Sequence, residues 1–298
     1  MYITSVTLRN YRNYSEAVIE PCQGVTVFTG DNAQGKTNIL EAIYMTCTGR
    51  SHRTSHDREL IKTGEEAAKI QISGERRDGR HDVEMWFSTV EKRSVKVNGS
   101  RIARSGELLG HITGVLFAPE DLRVVKDGPA ERRRFIDMEL SQLRPAYYYA
   151  LQKYNRALKQ RGALLKECAL TGRAPATIDM WDEQLAESGA LIMEARAEFV
   201  RRLAEKAKEI HSEVSGGRDE MAVAYAPDVQ AEGGRAEVQA QLTGALLKSR
   251  PNDIKRVQTG VGPHRDDISV CVNGMDARAY GSQGQVRTCA LSLKLSEI

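Results

Sequence analysis

Eight consecutive residues, Gly30-Asp31-Asn32-Ala33-Gln34-Gly35-Lys36-Thr37, carry the densest chemistry in the sequence. They match Gly-x-x-x-x-Gly-Lys-[Ser/Thr] and follow the apolar run Val25 to Thr29. A buried strand that delivers a glycine turn to a helix start gathers bare backbone N–H groups and the positive end of the helix dipole around a polyphosphate. In such a loop Gly30 and Gly35 permit backbone angles and a close approach that a Cβ would obstruct. Lys36 reaches the β and γ phosphates, and Thr37 offers its hydroxyl to Mg²⁺. With Asp31, Asn32, Ala33, Gln34 and Asn38 completing the turn, residues 30–38 are expected to bind a nucleotide.

Three further clusters have chemical potential. Arg50, His52, Arg53 and Arg58 follow the helix after the loop, and either contact a nucleic-acid backbone or line a solvated loop. Arg132-Arg133-Arg134 spans about 200° of a helix, so the three cannot share one partner, and at least one is expected to face an internal acidic group. His264, Asp266 and Asp267 resemble metal ligands superficially. Without a second ligand cluster nearby, a structured turn is the better reading. The segment Tyr280-Gly281-Ser282-Gln283-Gly284-Gln285 taken alone is an ordinary loop and helix N-cap.

The elements around these residues read as mixed α/β and then helical. Strands are expected at Tyr2 to Leu8, Ala17 to Glu20 and Val25 to Thr29, with a polar turn from Arg9 to Tyr14. Asn38, Ile39, Leu40, Ala42, Ile43 and Met45 give a helix beneath the sheet. Strand signals return at Ala68 to Ser73, Val83 to Ser88 and Ser94 to Ile102, where Asn98-Gly99 marks a tight hairpin. Residues 131–144 read as helix, and Pro145 can occupy N1 of the next. Tyr147, Leu151, Tyr154, Leu158 and Leu165 form one stripe; Trp181, Leu185, Ser188, Ile192, Ala195 and Phe199 form its partner, past a breaker stretch from Thr171 to Thr177. This seam ends near Gly216-Gly217, which describes a short helical arm and not a rod. After Pro251, alternating Ile268, Val270 and Val272 precede a second hairpin dipeptide, Asn273-Gly274, and a final helix from Val286 to Ile298. Trp86 and Trp181 are expected in the core.

Composition narrows the class. The 298 residues are 41% hydrophobic and 28% charged, as in globular proteins, and the formal charge of +3 requires any nucleic-acid surface to be local. Five scattered cysteines without C-x-x-C spacing suggest neither a disulfide framework nor a zinc site. The N-terminus lacks a basic, apolar leader, and no apolar run approaches the roughly 20 residues of a membrane span, so a cytoplasmic location is expected. No Asn-Lys-x-Asp motif supports a GTPase.

Taken together, seven segments resemble the RecF family, bacterial recombination-repair ATPases related to SMC heads. They are Leu8-Arg9-Asn10-Tyr11-Arg12-Asn13-Tyr14, the phosphate loop, Gly49-Arg50-Ser51-His52-Arg53-Thr54, Leu116-Phe117-Ala118-Pro119-Glu120-Asp121-Leu122, Arg132-Arg133-Arg134-Phe135-Ile136-Asp137, Gly262-Pro263-His264-Arg265-Asp266-Asp267 and Ser282-Gln283-Gly284-Gln285. The phosphate loop is generic; the arginine-rich and His-Arg-Asp-Asp segments are far more particular to the family.

The resemblance implies an α/β fold: an ABC/SMC-type P-loop ATPase head with a mixed sheet, plus an α-helical hairpin lobe. Residues 1–125 and 251–298 would form the head, and 126–250 the arm. It implies that Ser282, Gln283, Gly284 and Gln285 face the γ-phosphate held by a second copy, and that Arg12 touches a phosphate or the base. Arg50, Arg53 and Arg58 become DNA-contact candidates. ATP and Mg²⁺ are the implied cofactors. The implied function is an ATP-dependent homodimer that clamps double-stranded DNA near gaps, helps RecO and RecR load RecA on single-stranded DNA, and is reset by slow hydrolysis.

In the family, an apolar strand ending in aspartate, with an acidic neighbour, should lie shortly beyond the helix that ends at Ile298. Val115 to Asp121 imitates it, but Pro119 removes a ladder donor, so that segment reads as the strand and loop joining the lobes. Without those carboxylates, this 298-residue chain is expected to hydrolyse ATP poorly. The competing reading, the head of an SMC-like ATPase–nuclease defence protein, needs an acidic nuclease module that these residues do not contain. A non-enzymatic docking scaffold is a third, although Lys36 and Thr37 argue for nucleotide dependence.

Overall fold

The computed structural model describes residues 1–172, 177–230 and 233–297, so residues 173–176 of the expected breaker stretch and Ile298 at the end of the expected last helix lie outside the described residues. The chain divides into two compact units, Met1–Leu116 and Phe117–Ile298.

The first unit is built on one six-stranded antiparallel sheet in the order β2-β1-β3-β4-β5-β6. The strands are β1 (Tyr2–Tyr11), β2 (Tyr14–Ile19), β3 (Ala67–Arg76), β4 (Gly79–Ser88), β5 (Ser94–Val97) and β6 (Ser100–Arg101). Period-two alternation turns Val6, Leu8, Ile70, Ile72, Val83, Met85 and Phe87 inward, all fully buried. Helix α1 (Lys36–Thr48) covers them with Ile39, Ala42 and Met45. A type I′ turn demands positive φ at both central positions, and Asn98-Gly99 supplies it at 50° and 80°. The expected hairpin is therefore present between β5 and β6. At the other edge the Arg9-to-Tyr14 turn is tighter than expected, because β1 continues to Tyr11 and pairs it directly with Tyr14.

Two sequence expectations differ here. Val25–Thr29 joins no ladder among the described strands, and Val25 and Val27 are 87% and 73% exposed. An apolar run becomes a strand only where a neighbour accepts and donates its backbone hydrogen bonds, and none of the described strands does so for Val25–Thr29. Trp86 lies on the outward face of β4 and is 38% exposed, since its position in the alternation is opposite that of Met85 and Phe87.

In the second unit a short helix α2 (Arg123–Lys126) precedes α3 (Pro129–Leu143), α4 (Pro145–Thr171) and α5 (Thr177–Ser215). Pro129 and Pro145 both occupy the first helical turn, where a missing N–H costs nothing. The expected helical arm is the α4–α5 pair. Leu185, Ser188, Ile192 and Ala195 are buried along the α5 seam, and Trp181 and Phe199 pack half-buried beside them. Helix α6 (Arg235–Arg256) runs through Pro251. Both Pro251 and Leu247 are exposed, so solvent can satisfy the carbonyl that the proline leaves unpaired.

A three-stranded antiparallel sheet, β7 (Met221–Ala226), β8 (Asp267–Val272) and β9 (Met275–Asp276), completes this unit with α7 (Ala277–Tyr280) and α8 (Gln283–Leu295). Asn273-Gly274 closes β8 onto β9 with φ of 52° and 78°. Within this unit β8 pairs along its length with β7, and α8 packs on α5. Strand β7 is the element the sequence reading overlooked, six residues of alternating Met221, Val223 and Tyr225 directly after the arm.

Candidate functional site

Residues 30–37 form a looped turn whose backbone depends on residues that tolerate positive φ. Gly30, Ala33 and Gly35 have φ of 143°, 66° and 99°. Gly35 precedes α1 as its N-cap, with no side-chain cap and no acidic residue in the first turn. The helix therefore starts with its dipole uncompensated and its first N–H groups without a side-chain acceptor, an arrangement that suits an anion. Lys36 Nζ turns back over the loop to Gly30 O and Asp31 O, both at 2.6 Å, which puts the ammonium at the centre of the turn. Asp31, Asn32, Ala33, Gln34 and Thr37 are exposed and Asn38 is partly so. All the residues expected to bind nucleotide are thus on one loop and helix start, apart from Arg12.

The turn between β1 and β2 braces this loop from outside. Asn13 Nδ2 donates to Gln34 O at 3.0 Å, and Asn38 Nδ2 donates to Asn13 Oδ1 at 2.8 Å. A Cβ on Gly35 would stand 2.5 Å from Asn13 Oδ1 and 2.9 Å from Tyr14 Cε2. Gly35→Ala is accordingly expected to cost about 2–3 kcal/mol, from left-handed strain and the displaced brace. Denaturant unfolding measures it, and an unchanged midpoint would show that the brace yields freely.

Arg12 is engaged by Glu41 and by the Glu59 carbonyl. Its Nε and Nη2 grip Glu41 at 2.9 and 2.6 Å, and its Nη1 donates to Glu59 O at 2.9 Å. Glu41, fully buried on α1, also accepts from Ser51 Oγ at 2.5 Å and pairs with Arg53 Nη1 at 3.5 Å. Burial alone would raise the Glu41 carboxyl, but the hydrogen bonds from Arg12 and Ser51 and the charges of Arg12 and Arg53 outweigh it and hold it below the ordinary carboxylate range. Its ionised form therefore stabilises the fold above about pH 4, and that contribution is lost as pH falls through the depressed value. Sequence reasoning passed over Glu41, although an acidic residue between the buried positions Ile39, Ala42 and Met45 was a usable signal.

Arg50, Arg53 and Arg58 are all exposed on the segment that follows α1. Arg53 additionally donates to Asn38 Oδ1 at 2.8 Å, which ties this segment to the loop's first helical turn.

In the second unit, Ser282 is the N-cap of α8, and Ser282, Gln283 and Gly284 are exposed. Ser282 Oγ accepts from Gln285 N at 3.2 Å, and Gln285 Oε1 accepts from Ser282 N at 3.0 Å, a reciprocal capping box. Gln285 Nε2 also donates to Asp219 Oδ1 at 3.2 Å, where Asn273 Nδ2 binds at 2.8 Å. A Cβ on Gly281 would lie 2.4 Å from Ala277 O, so a glycine is required for the chain to enter the motif.

The arginine-rich and His-Arg-Asp-Asp segments pack together. Arg132 Nε and Nη2 bind Asp267 at 2.6 and 2.9 Å, Arg133 Nη1 binds Asp266 O at 2.6 Å, and Arg134 is exposed. Asp266 further meets Arg196 Nη1 at 3.1 Å, Tyr225 Oη and Asp228 N. His264 Nδ1 lies 2.6 Å from Tyr154 Oη, and burial lowers its imidazole pKa, which favours the neutral ring. No group of three or more His, Cys, Asp or Glu that could hold a metal ion occurs among the described residues. No described helix is long and apolar enough to cross a membrane.

Known proteins share this architecture. A family model described as an AAA domain matches residues 5–212. The DNA replication and repair protein RecF of Agathobacter rectalis is 45% identical over 298 residues, covering 100% of this chain and 80% of that protein. Its counterpart in Acetivibrio thermocellus is 41% identical over 300 residues, covering 100% and 81%. Among solved structures, the recombination mediator protein RecF with ATP, of the RecFOR pathway, matches with a TM-score of 0.93 at 35% identity over 99% of this chain and 80% of that one. The Smc head domain with an extended coiled coil from Pyrococcus furiosus shares the fold, with a TM-score of 0.55 at 17% identity over 99% of this chain and 78% of that one. An ABC/SMC-type P-loop head with a helical hairpin lobe, and identity above 40% to these relatives over the whole of the chain, show that it belongs to the RecF family of DNA replication and repair proteins.

Proposed function

We propose that the protein is an ATP-switched DNA-binding component of recombinational repair, in which nucleotide drives two copies together over double-stranded DNA near single-strand gaps. The observation that carries this reading is the loop at 30–37, with Lys36 Nζ centred over Gly30 and Asp31 and an uncapped helix start behind it. The similar RecF structure bound to ATP supports the same ligand. Backbone N–H groups of the loop and Lys36 would hold the phosphates, and Thr37 would give its hydroxyl to the Mg²⁺ that accompanies them.

In this reading the exposed Ser282, Gln283 and Gly284 of one copy complete the nucleotide site of the other. Ser282 is already held at a helix N-terminus, where hydroxyl, N–H groups and dipole favour a γ-phosphate. A nucleotide bound tightly only by the paired form shifts the monomer–dimer equilibrium through differential affinity, and slow hydrolysis resets it. Arg50, Arg53 and Arg58 supply phosphate-backbone contacts that position without reading sequence. Cooperation with RecO and RecR is part of this reading, supported by the RecFOR pathway of the similar structure, and loading of RecA is proposed with it.

Light scattering with and without a non-hydrolysable ATP analogue tests the switch. The analogue is expected to double the mass of the wild-type protein and to leave Ser282→Arg monomeric, because the new side chain would occupy the γ-phosphate position. Dimerisation of Ser282→Arg equal to wild type would remove the motif from the interface.

A further inference from the structure

Glu41 stands at the crossing of two segments that the proposed function uses separately. Its buried carboxylate faces two guanidiniums, one from the β1–β2 turn and one from the basic segment, and they are not held alike. Arg12 takes the two-pronged contact at 2.9 and 2.6 Å, whereas Arg53 keeps a single ion pair at 3.5 Å and its side chain is 38% exposed. One carboxylate cannot give both arginines a two-pronged pairing, so Arg53 is the one that an external phosphate can draw away.

Arg53 is also the end of a continuous polar path from the phosphate loop. Gln34 O accepts from Asn13 Nδ2 at 3.0 Å, Asn13 Oδ1 accepts from Asn38 Nδ2 at 2.8 Å, and Asn38 Oδ1 accepts from Arg53 Nη1 at 2.8 Å. The loop end of this path is the backbone carbonyl preceding Gly35, and its midpoint lies in the first turn of α1. A displacement of Gln34 or Asn38 lengthens or misaligns one of these bonds and so changes how firmly Arg53 is held. Ser51 Oγ, which donates to Glu41 at 2.5 Å, accepts from the Arg53 and Thr54 backbone N–H groups at 3.0 and 3.1 Å, so the segment's main chain hangs on the same carboxylate.

We propose that Glu41 is a positioning residue that couples the phosphate loop to the basic segment, so that nucleotide binding sets how Arg53 is presented to a nucleic-acid phosphate. The inference rests on the nucleotide-dependent DNA binding proposed above and assigns its internal link. Binding linkage is reciprocal: DNA must then alter nucleotide affinity by the same factor.

The experiment measures duplex-DNA affinity with and without a non-hydrolysable ATP analogue, and analogue affinity with and without DNA, for wild type, Glu41→Gln and Arg53→Gln. Glu41→Gln keeps the side-chain shape and removes the charge. In both variants the ratio of DNA affinities with and without analogue is expected to fall to within about two-fold of unity, where a coupled wild type shows roughly 5-fold or more. A purely structural Glu41 would lower the melting temperature and both affinities while preserving the ratio, and that result overturns the inference. If Glu41→Gln fails to fold, the exposed Arg53→Gln carries the test, and a wild-type ratio there overturns it equally. A wild-type protein whose DNA affinity ignores the analogue defeats the underlying reading as well; variants that respond as wild type does defeat the coupling alone.

Discussion

Lys36→Ala is expected to weaken ATP binding by about 100-fold or more, with little change in fold stability. The ammonium is placed over the loop by two contacts of 2.6 Å to Gly30 O and Asp31 O. Each charge-assisted hydrogen bond lost from a desolvated phosphate costs roughly 1.5–3 kcal/mol, and two of them reach the stated factor. The side chain is only partly buried and lies in no hydrophobic cluster, so its removal leaves no cavity in the sheet core. Titration calorimetry with ATP measures the affinity, and circular dichroism of the same sample controls for folding. An affinity within three-fold of wild type would mean that the loop holds phosphate without its lysine, and the nucleotide assignment of 30–37 would fail.

Arg161→Ala is expected to destabilise the helical unit by about 3–5 kcal/mol. Arg161 on α4 is wholly buried, with Nε at 2.5 Å from Asp182 on α5 and Nη1 at 2.7 Å from Asp253 on α6 and 2.9 Å from Thr259. Both carboxylates are themselves 2% exposed or less, so alanine would leave two buried anions short of a partner. Arg250 Nη2 reaches Asp182 at 2.6 Å and could rescue that one, whereas Asp253 would keep, among the described residues, Ser249 Oγ and the Gly260 N–H. Urea unfolding followed by circular dichroism measures the loss, and Asp253→Asn in the Arg161→Ala background should recover part of it by removing the stranded charge. A loss below 1 kcal/mol would show that water or a rearranged Arg250 reaches the site.

The legibility of the chain followed the range of the interactions concerned. The turn around Gly35 and the helix start at Lys36 were readable because such a loop is specified by backbone conformations and side chains within eight residues. The two Asn-Gly hairpins were readable for the same reason, since a turn requiring two positive φ values leaves few residue choices. The α4–α5 seam was visible as a repeat of apolar positions over several helical turns. The family likeness proposes Arg12 for the nucleotide, and its contact with Glu41, a residue 29 positions away, is not written in its neighbourhood. Nothing local distinguishes an arginine aimed at a phosphate from one aimed at a buried carboxylate.

The sequence by itself determined the phosphate-loop chemistry, the hairpin turns, the helical arm and the family, because each is written in short-range conformational preference or in residue identity. Tertiary structure alone decided that residues 267–272 pair with 221–226, that Val25 and Val27 lie exposed, and that one carboxylate joins Arg12, Ser51 and Arg53. Those outcomes depend on which distant groups satisfy a backbone ladder or a buried charge, and chain folding brings such partners together irrespective of their spacing along the sequence.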